Sequence, residues 1–102
     1  MNDRLAQLQD MHASDPSDAF IPYGIALEHF KAGDHAAALT WLDKTLSLDP
    51  HYCYAYFQKA KVLSDRGDDD EARAVLETGM RAAVEVHDEH ARGEMAELLA
   101  SL

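Results

Sequence analysis

The chain has 102 residues, with nine Lys and Arg against nineteen Asp and Glu, for a formal net charge of −10. A chain of this length makes one domain with one elongated core, which excludes a deep catalytic cleft walled on all sides. The acidic balance counts against nucleic acid or anionic lipid as the main partner.

The single cysteine, Cys53, has no partner for an internal disulfide and points to a reducing compartment. The N-terminal stretch has no basic-then-apolar pattern, and no apolar run approaches the roughly 18 residues of a membrane span. The expectation is a soluble, cytoplasmic protein.

Residues 2–13 read as a helix, because Leu5, Leu8, Met11 and His12 fall on one stripe at spacings of three and four. Ser14-Asp15-Pro16-Ser17 ends it, since proline lacks a donor and forces its predecessor into extended geometry. A second helix runs from about 18–20 to Ala32, with Ile25, Ala26, His29 and Phe30 as its buried stripe. Pro22 must lie near its first turn, because deeper inside it would cost about 3 kcal/mol. The helix is therefore expected to start late or bend there. His29 is expected to be a core histidine bonded to backbone.

Gly33 supplies the left-handed residue that ends this helix, and Asp34 caps the next. That third helix, about 35–48, buries Ala38, Leu39, Leu42, Thr45 and Leu46, and stops at Asp49-Pro50. A fourth, about 52–66, carries Tyr56, Ala60 and Leu63 on one stripe and Phe57, Lys61 and Ser64 on the adjacent one. Gly67 ends it. Asp68 with Glu71 forms a capping-box-like pair opening the fifth helix. This one buries Ala72, Val75, Leu76, Gly79, Met80 and Ala83 and runs to about 86 or 87. The last helix, about 88–101, presents Met95, Leu98, Leu99 and Leu102.

These elements repeat at a fixed interval. Gly33-Asp34 returns 34 residues later as Gly67-Asp68, Ala26 as Ala60, Ala38 as Ala72 and Leu42 as Leu76. Asp15-Pro16 precedes Asp49-Pro50 by the same step, as Leu5 and Leu8 precede Leu39 and Leu42. A period of this size marks a repeat architecture. With these residues in these places, the sequence resembles the tetratricopeptide repeat family. The paired small residues of the family's motif match Ala26 and Ala60, then Ala38 and Ala72. Its inter-helix glycine matches Gly33 and Gly67, and its closing proline matches Pro50. The departures are Pro22 and Tyr56 in place of the motif's Trp, His29 and Leu63 in place of its Tyr, Lys59 in place of a Leu, and Val84 in place of the second proline.

The resemblance implies an all-α fold, a right-handed α-α superhelix of about six antiparallel helices in one domain over residues 1–102. Residues 2–16 would be an N-terminal half repeat, 19–52 and 53–86 two full repeats, and 87–102 a capping helix. Each pair leaves an apolar face that its neighbour must cover, so the leucines of the last helix are expected to cover the second repeat.

Several clusters bear on chemistry. Asp65-Arg66-Gly67-Asp68-Asp69-Asp70-Glu71 lacks the alternating oxygen ligands and distal Glu of an EF-hand loop. It reads as acids at a helix N-terminus, where the macrodipole favours negative charge. His87-Asp88-Glu89-His90 is the best metal candidate and would support a metal-dependent enzyme. It offers two ligands where zinc takes three or four, so it reads as a polar helix junction. Cys53 has no CxxC partner or adjacent base and reads as buried packing. Trp41 reads as packed between repeats. No GxGxxG, GxxxxGK[ST] or GxSxG occurs, so neither a nucleotide cofactor nor acyl chemistry is expected, and catalytic residues, metal and cofactors are all expected to be none.

What remains is implied by the resemblance. In this family the first helices of successive pairs line a concave groove that takes peptides. The places here that match the groove are Tyr23, Leu27, Phe30 and Lys31, then Tyr54, Phe57, Gln58 and Lys61. Tyr23 and Leu27 stand where chaperone-binding members hold a terminal carboxylate, so that clamp is absent. The expectation is a non-catalytic protein–protein interaction module binding a protein or peptide. Packing of the same aromatics against a neighbouring helix, or self-association into a homo-oligomer, are the other readings.

Overall fold

The computed structural model describes residues 3–102, and within them lie six helices and no strand. They are α1 (Asp3–Ser14), α2 (Phe20–Lys31), α3 (His35–Leu48), α4 (Cys53–Asp65), α5 (Asp69–Glu85) and α6 (Glu89–Ser101). Each helix packs on the next along the chain, while α2 also touches α4 and α4 touches α6. The result is a right-handed stack of antiparallel pairs.

The turns follow from their glycines. Gly33 and Gly67 adopt φ of +82° and +91°, the left-handed region that terminates α2 and α4. His87 takes the same role between α5 and α6 at φ +59°, which a histidine tolerates better than a β-branched residue. Asp34 then caps α3 by accepting from the Ala37 amide at 3.1 Å, and Asp88 caps α6 by accepting from Ala91 at 3.0 Å. Asp68 does not cap α5 with its side chain, contrary to the capping-box expectation. Arg66 Nε donates to its Oδ2 at 2.8 Å and holds that carboxylate outside the helix end. Pro22 sits in the first turn of α2, fully buried, where its missing N–H costs nothing.

The small residues set the spacing of the pairs. Ala26 and Ala38 share one buried cluster and Ala60 and Ala72 another, all four at zero exposure. Leu42 and Leu76 fill the space beside them. Met95 of α6 is buried against α4 and α5, with Leu98, Leu99 and Leu102 packed around the same cluster. At the other end Leu8 meets Ile21 and Ile25 in a smaller cluster, on which Trp41 packs. Trp41 also takes the His12 ring edge-on at 5.3 Å, which joins α1 to α3. Thr45 is buried because its hydroxyl donates to the Trp41 carbonyl at 3.0 Å. His29 is half-buried rather than in the core, so the core histidine expected there is absent. No helix among the described residues is long and apolar enough to cross a membrane.

Candidate partner-binding groove

The alternation of helices puts α2, α4 and α6 side by side, with α3 and α5 behind them. The side of each front helix that does not carry its small residue is left to face the groove. Phe30, Ser64 and Leu98 stand at successive intervals of 34 residues, one on each front helix, and all three line one depression. Lys61 and Asp65 complete its wall.

The groove residues anticipated from the sequence fall into two groups. Tyr54, Phe57 and Lys61 form a unit on α4. The Tyr54 and Phe57 rings meet edge-on at 6.1 Å, and the Lys61 ammonium lies 5.5 Å from the Phe57 centroid. Burial first, then the nearby Glu94 and Asp88 carboxylates, pushes the Tyr54 hydroxyl above its usual pKa. Tyr23, Gln58 and Tyr52 form the second unit, between α2 and the start of α4. Tyr23 and Tyr52 stack tilted at 4.9 Å. Burial pushes the Tyr23 hydroxyl above its usual pKa, and a hydrogen bond from Gln58 works against that rise. Burial, with Tyr23, Asp18 and Asp49 nearby, pushes Tyr52 up to about 12. Leu27 is half-buried and in neither unit. Phe30 leans towards His35 at 6.1 Å, and Lys31 is exposed, tied to Glu28 at 3.7 Å.

Sequence reasoning missed three residues of this depression, Ser64, Leu98 and Asp65. Leu98 was legible: one more step of the interval from Phe30 and Ser64 reaches it, but it was read only as a cap. Asp65 carried no signal, because its place depends on how a neighbouring helix sits. Asp65 accepts from or pairs with His35 at 2.7 Å.

Among the described residues no group of three or more His, Cys, Asp and Glu is placed to hold a metal ion. His90 is held instead by Glu94 at 2.8 Å. Cys53 is buried, and burial first, then Asp88, raises its thiol pKa and so disfavours the reactive thiolate.

Comparison with known proteins agrees with this architecture. The model of the tetratricopeptide repeat family matches residues 29–102. A solved protein of Bordetella parapertussis is 26% identical, with a TM-score of 0.85 over 99% of this chain and 88% of that one. A tetratricopeptide repeat domain protein of Salinibacter ruber is 25% identical, with a TM-score of 0.79 over 85% and 88%. The type III secretion translocator chaperone SycD of Yersinia enterocolitica has the same fold at 15% identity, with a TM-score of 0.85 over 95% of this chain and 68% of that one. No curated protein matches the sequence significantly. The family match covers well over half of the chain and agrees with the paired helices, their glycine turns and their interlocked alanines: this chain belongs to the tetratricopeptide repeat family.

Proposed function

We propose that the face formed by α2, α4 and α6 binds a segment of a partner protein, and that the chain acts by holding that partner rather than by catalysis. One observation carries the reading. Three front helices contribute Phe30, Ser64 and Leu98 to a single depression, next to an aromatic unit crowned by Lys61. Half-buried aromatics offer large contact area with few rotatable bonds, which suits binding anchors. On this reading residues 19–52 and 53–86 are the two full repeats, and Tyr23, Leu27, Phe57 and Lys61 are the first contacts. Phe30 and Leu98 edged by Asp65 on an acidic protein favour an amphipathic helix or extended peptide with some basic residues.

The test is an NMR titration with a partner captured from the native host. Chemical-shift changes should concentrate on Leu27, Phe57, Lys61 and Leu98. Changes confined to Thr40, Asp43 and Glu77 on the second helices would place the site on the opposite side and refute the assignment.

A further inference from the structure

Among the described residues, the large hydrophobic side chains that stay exposed are Met11, Phe20, Val84 and Val86. None lies in the groove. Met11 and Phe20 belong to α1 and the start of α2, Val84 to the end of α5, and Val86 caps that end. Both ends of the stack therefore carry exposed large apolar side chains.

The two ends are complementary in kind. In the middle of the stack, Leu46 of α3 and Tyr56 of α4 line a seam against which α5 lays Val75 and Thr78. The corresponding seam further on lies between α5 and α6. Met80, which follows Leu46 by 34 residues, lines it with Val84, Arg92 and Leu99, and no described helix lies on it. At the opposite end α1 is a helix of the type that fills such a seam. It carries Leu5, Leu8 and Met11 34 residues ahead of Leu39, Leu42 and Thr45 of α3. Thr45 is buried in its pair, whereas Met11 is 46% exposed.

Their charges also differ. Met11 lies in a depression edged by Asp10, Asp15 and Asp18, and none of these is in an ion pair among the described residues. The far seam is edged by Arg81 and Arg92, with Glu77 and Glu85. Glu85 is held by His51 at 2.6 Å, and Arg92 by Glu89 at 3.0 Å. Among the described residues Arg81 donates to the Thr78 hydroxyl at 3.2 Å and is in no ion pair. On a chain of net charge −10, Arg81 therefore stands outside any described ion pair beside the exposed Val84.

We propose that this protein associates with a second copy of itself head to tail, α1 of one copy seating on the seam between α5 and α6 of the next. Met11 then covers Val84 and Leu99, and Asp10 and its neighbours face Arg81. The contact uses two different surfaces, so it leaves one head and one tail free and propagates. It also leaves the groove of every copy open.

Light scattering across a concentration series tests this with the full chain. The wild type should show a mass that climbs with concentration. Met11→Asp and Val84→Asp, both at exposed positions, should each be monomeric while circular dichroism stays helical. The deciding step is to mix the two variants in equal amounts. Each retains one intact surface, so the mixture should form a one-to-one dimer. A wild type that stays monomeric throughout would overturn the proposal and leave the seam to some other helix. A mixture that stays monomeric would overturn it too, since a symmetric interface gives that result.

Discussion

Gly79 and Tyr56 approach so closely that a Cβ on the glycine would lie 2.5 Å from the tyrosine Cβ, with Met95 Sδ at 2.7 Å. Real side chains do not pack at such distances. Three helices, α4, α5 and α6, meet at this one missing side chain. Gly79→Ala gains up to about 1 kcal/mol of helix propensity. It also forces α5 away from a backbone-proximal atom that cannot swing aside, and overpacking of this kind costs about 1–3 kcal/mol. The overpacking should win, with a fall in melting temperature of about 4 °C or more. Ala60→Leu, at zero exposure against Ala72, should do the same. An unchanged melting temperature for both would mean that these crossings are loose.

The helices and their turns were legible because each has a local cause: apolar spacing, a glycine at positive φ, a proline at an end. The 34-residue interval extended this to the packing of pairs, since Ala26, Ala38, Ala60 and Ala72 repeat in step. What stayed hidden depends on pairs of residues brought together from different helices. Gly79 reads in sequence as one more buried small residue, and nothing marks Tyr56 as its neighbour. Asp68 follows its glycine just as Asp34 does, yet Arg66 claims its carboxylate. His29 sits on an apolar stripe but ends up half-exposed.

The three aspartates before α3, α5 and α6 should separate in a mutational test. Asp34 and Asp88 accept from backbone amides, so Asp34→Ala and Asp88→Ala should each cost about 1 kcal/mol. Asp68 makes only a half-exposed pair with Arg66. Asp68→Ala should therefore cost roughly 0.2–1 kcal/mol, towards the lower end. Urea denaturation of the three variants ranks them. Equal losses at all three sites would show that Asp68 caps α5 in solution.

Alkali should weaken the fold through the Tyr23–Tyr52 stack. Both hydroxyls have pKa values raised in the folded protein, Tyr52 to about 12, against about 10 in an unfolded chain. The unfolded state then loses its protons first. Stability is fully present below pH 10 and declines as the pH rises towards 12, because the folded state binds more protons in that window. Tyr52→Phe keeps the ring and removes the ionisable group. Its unfolding midpoint should fall less steeply above pH 10 than that of the wild type. Parallel curves would show that Tyr52 is solvated like a free tyrosine.

The groove reading makes the sharpest demand on Phe57. Its ring touches Tyr54 on one side and lies under Lys61 on the other, yet it stays half-exposed on the face that α2 and α6 flank. A residue placed only for packing would lose stability on truncation and leave binding unchanged once the folded fraction is corrected for. A binding anchor behaves differently. Phe57→Ala should lower affinity for the captured partner by at least about 1 kcal/mol while the protein stays helical. Tyr23→Ala should also weaken binding, but with a larger loss of stability, because it removes one ring of a buried stack. Lys61→Ala should change affinity less, and its effect should shrink as salt rises, since an exposed ammonium is screened over a distance of about 10 Å at 0.1 M. Isothermal titration calorimetry at two salt concentrations measures all three. The groove assignment fails if Phe57→Ala binds as tightly as the wild type.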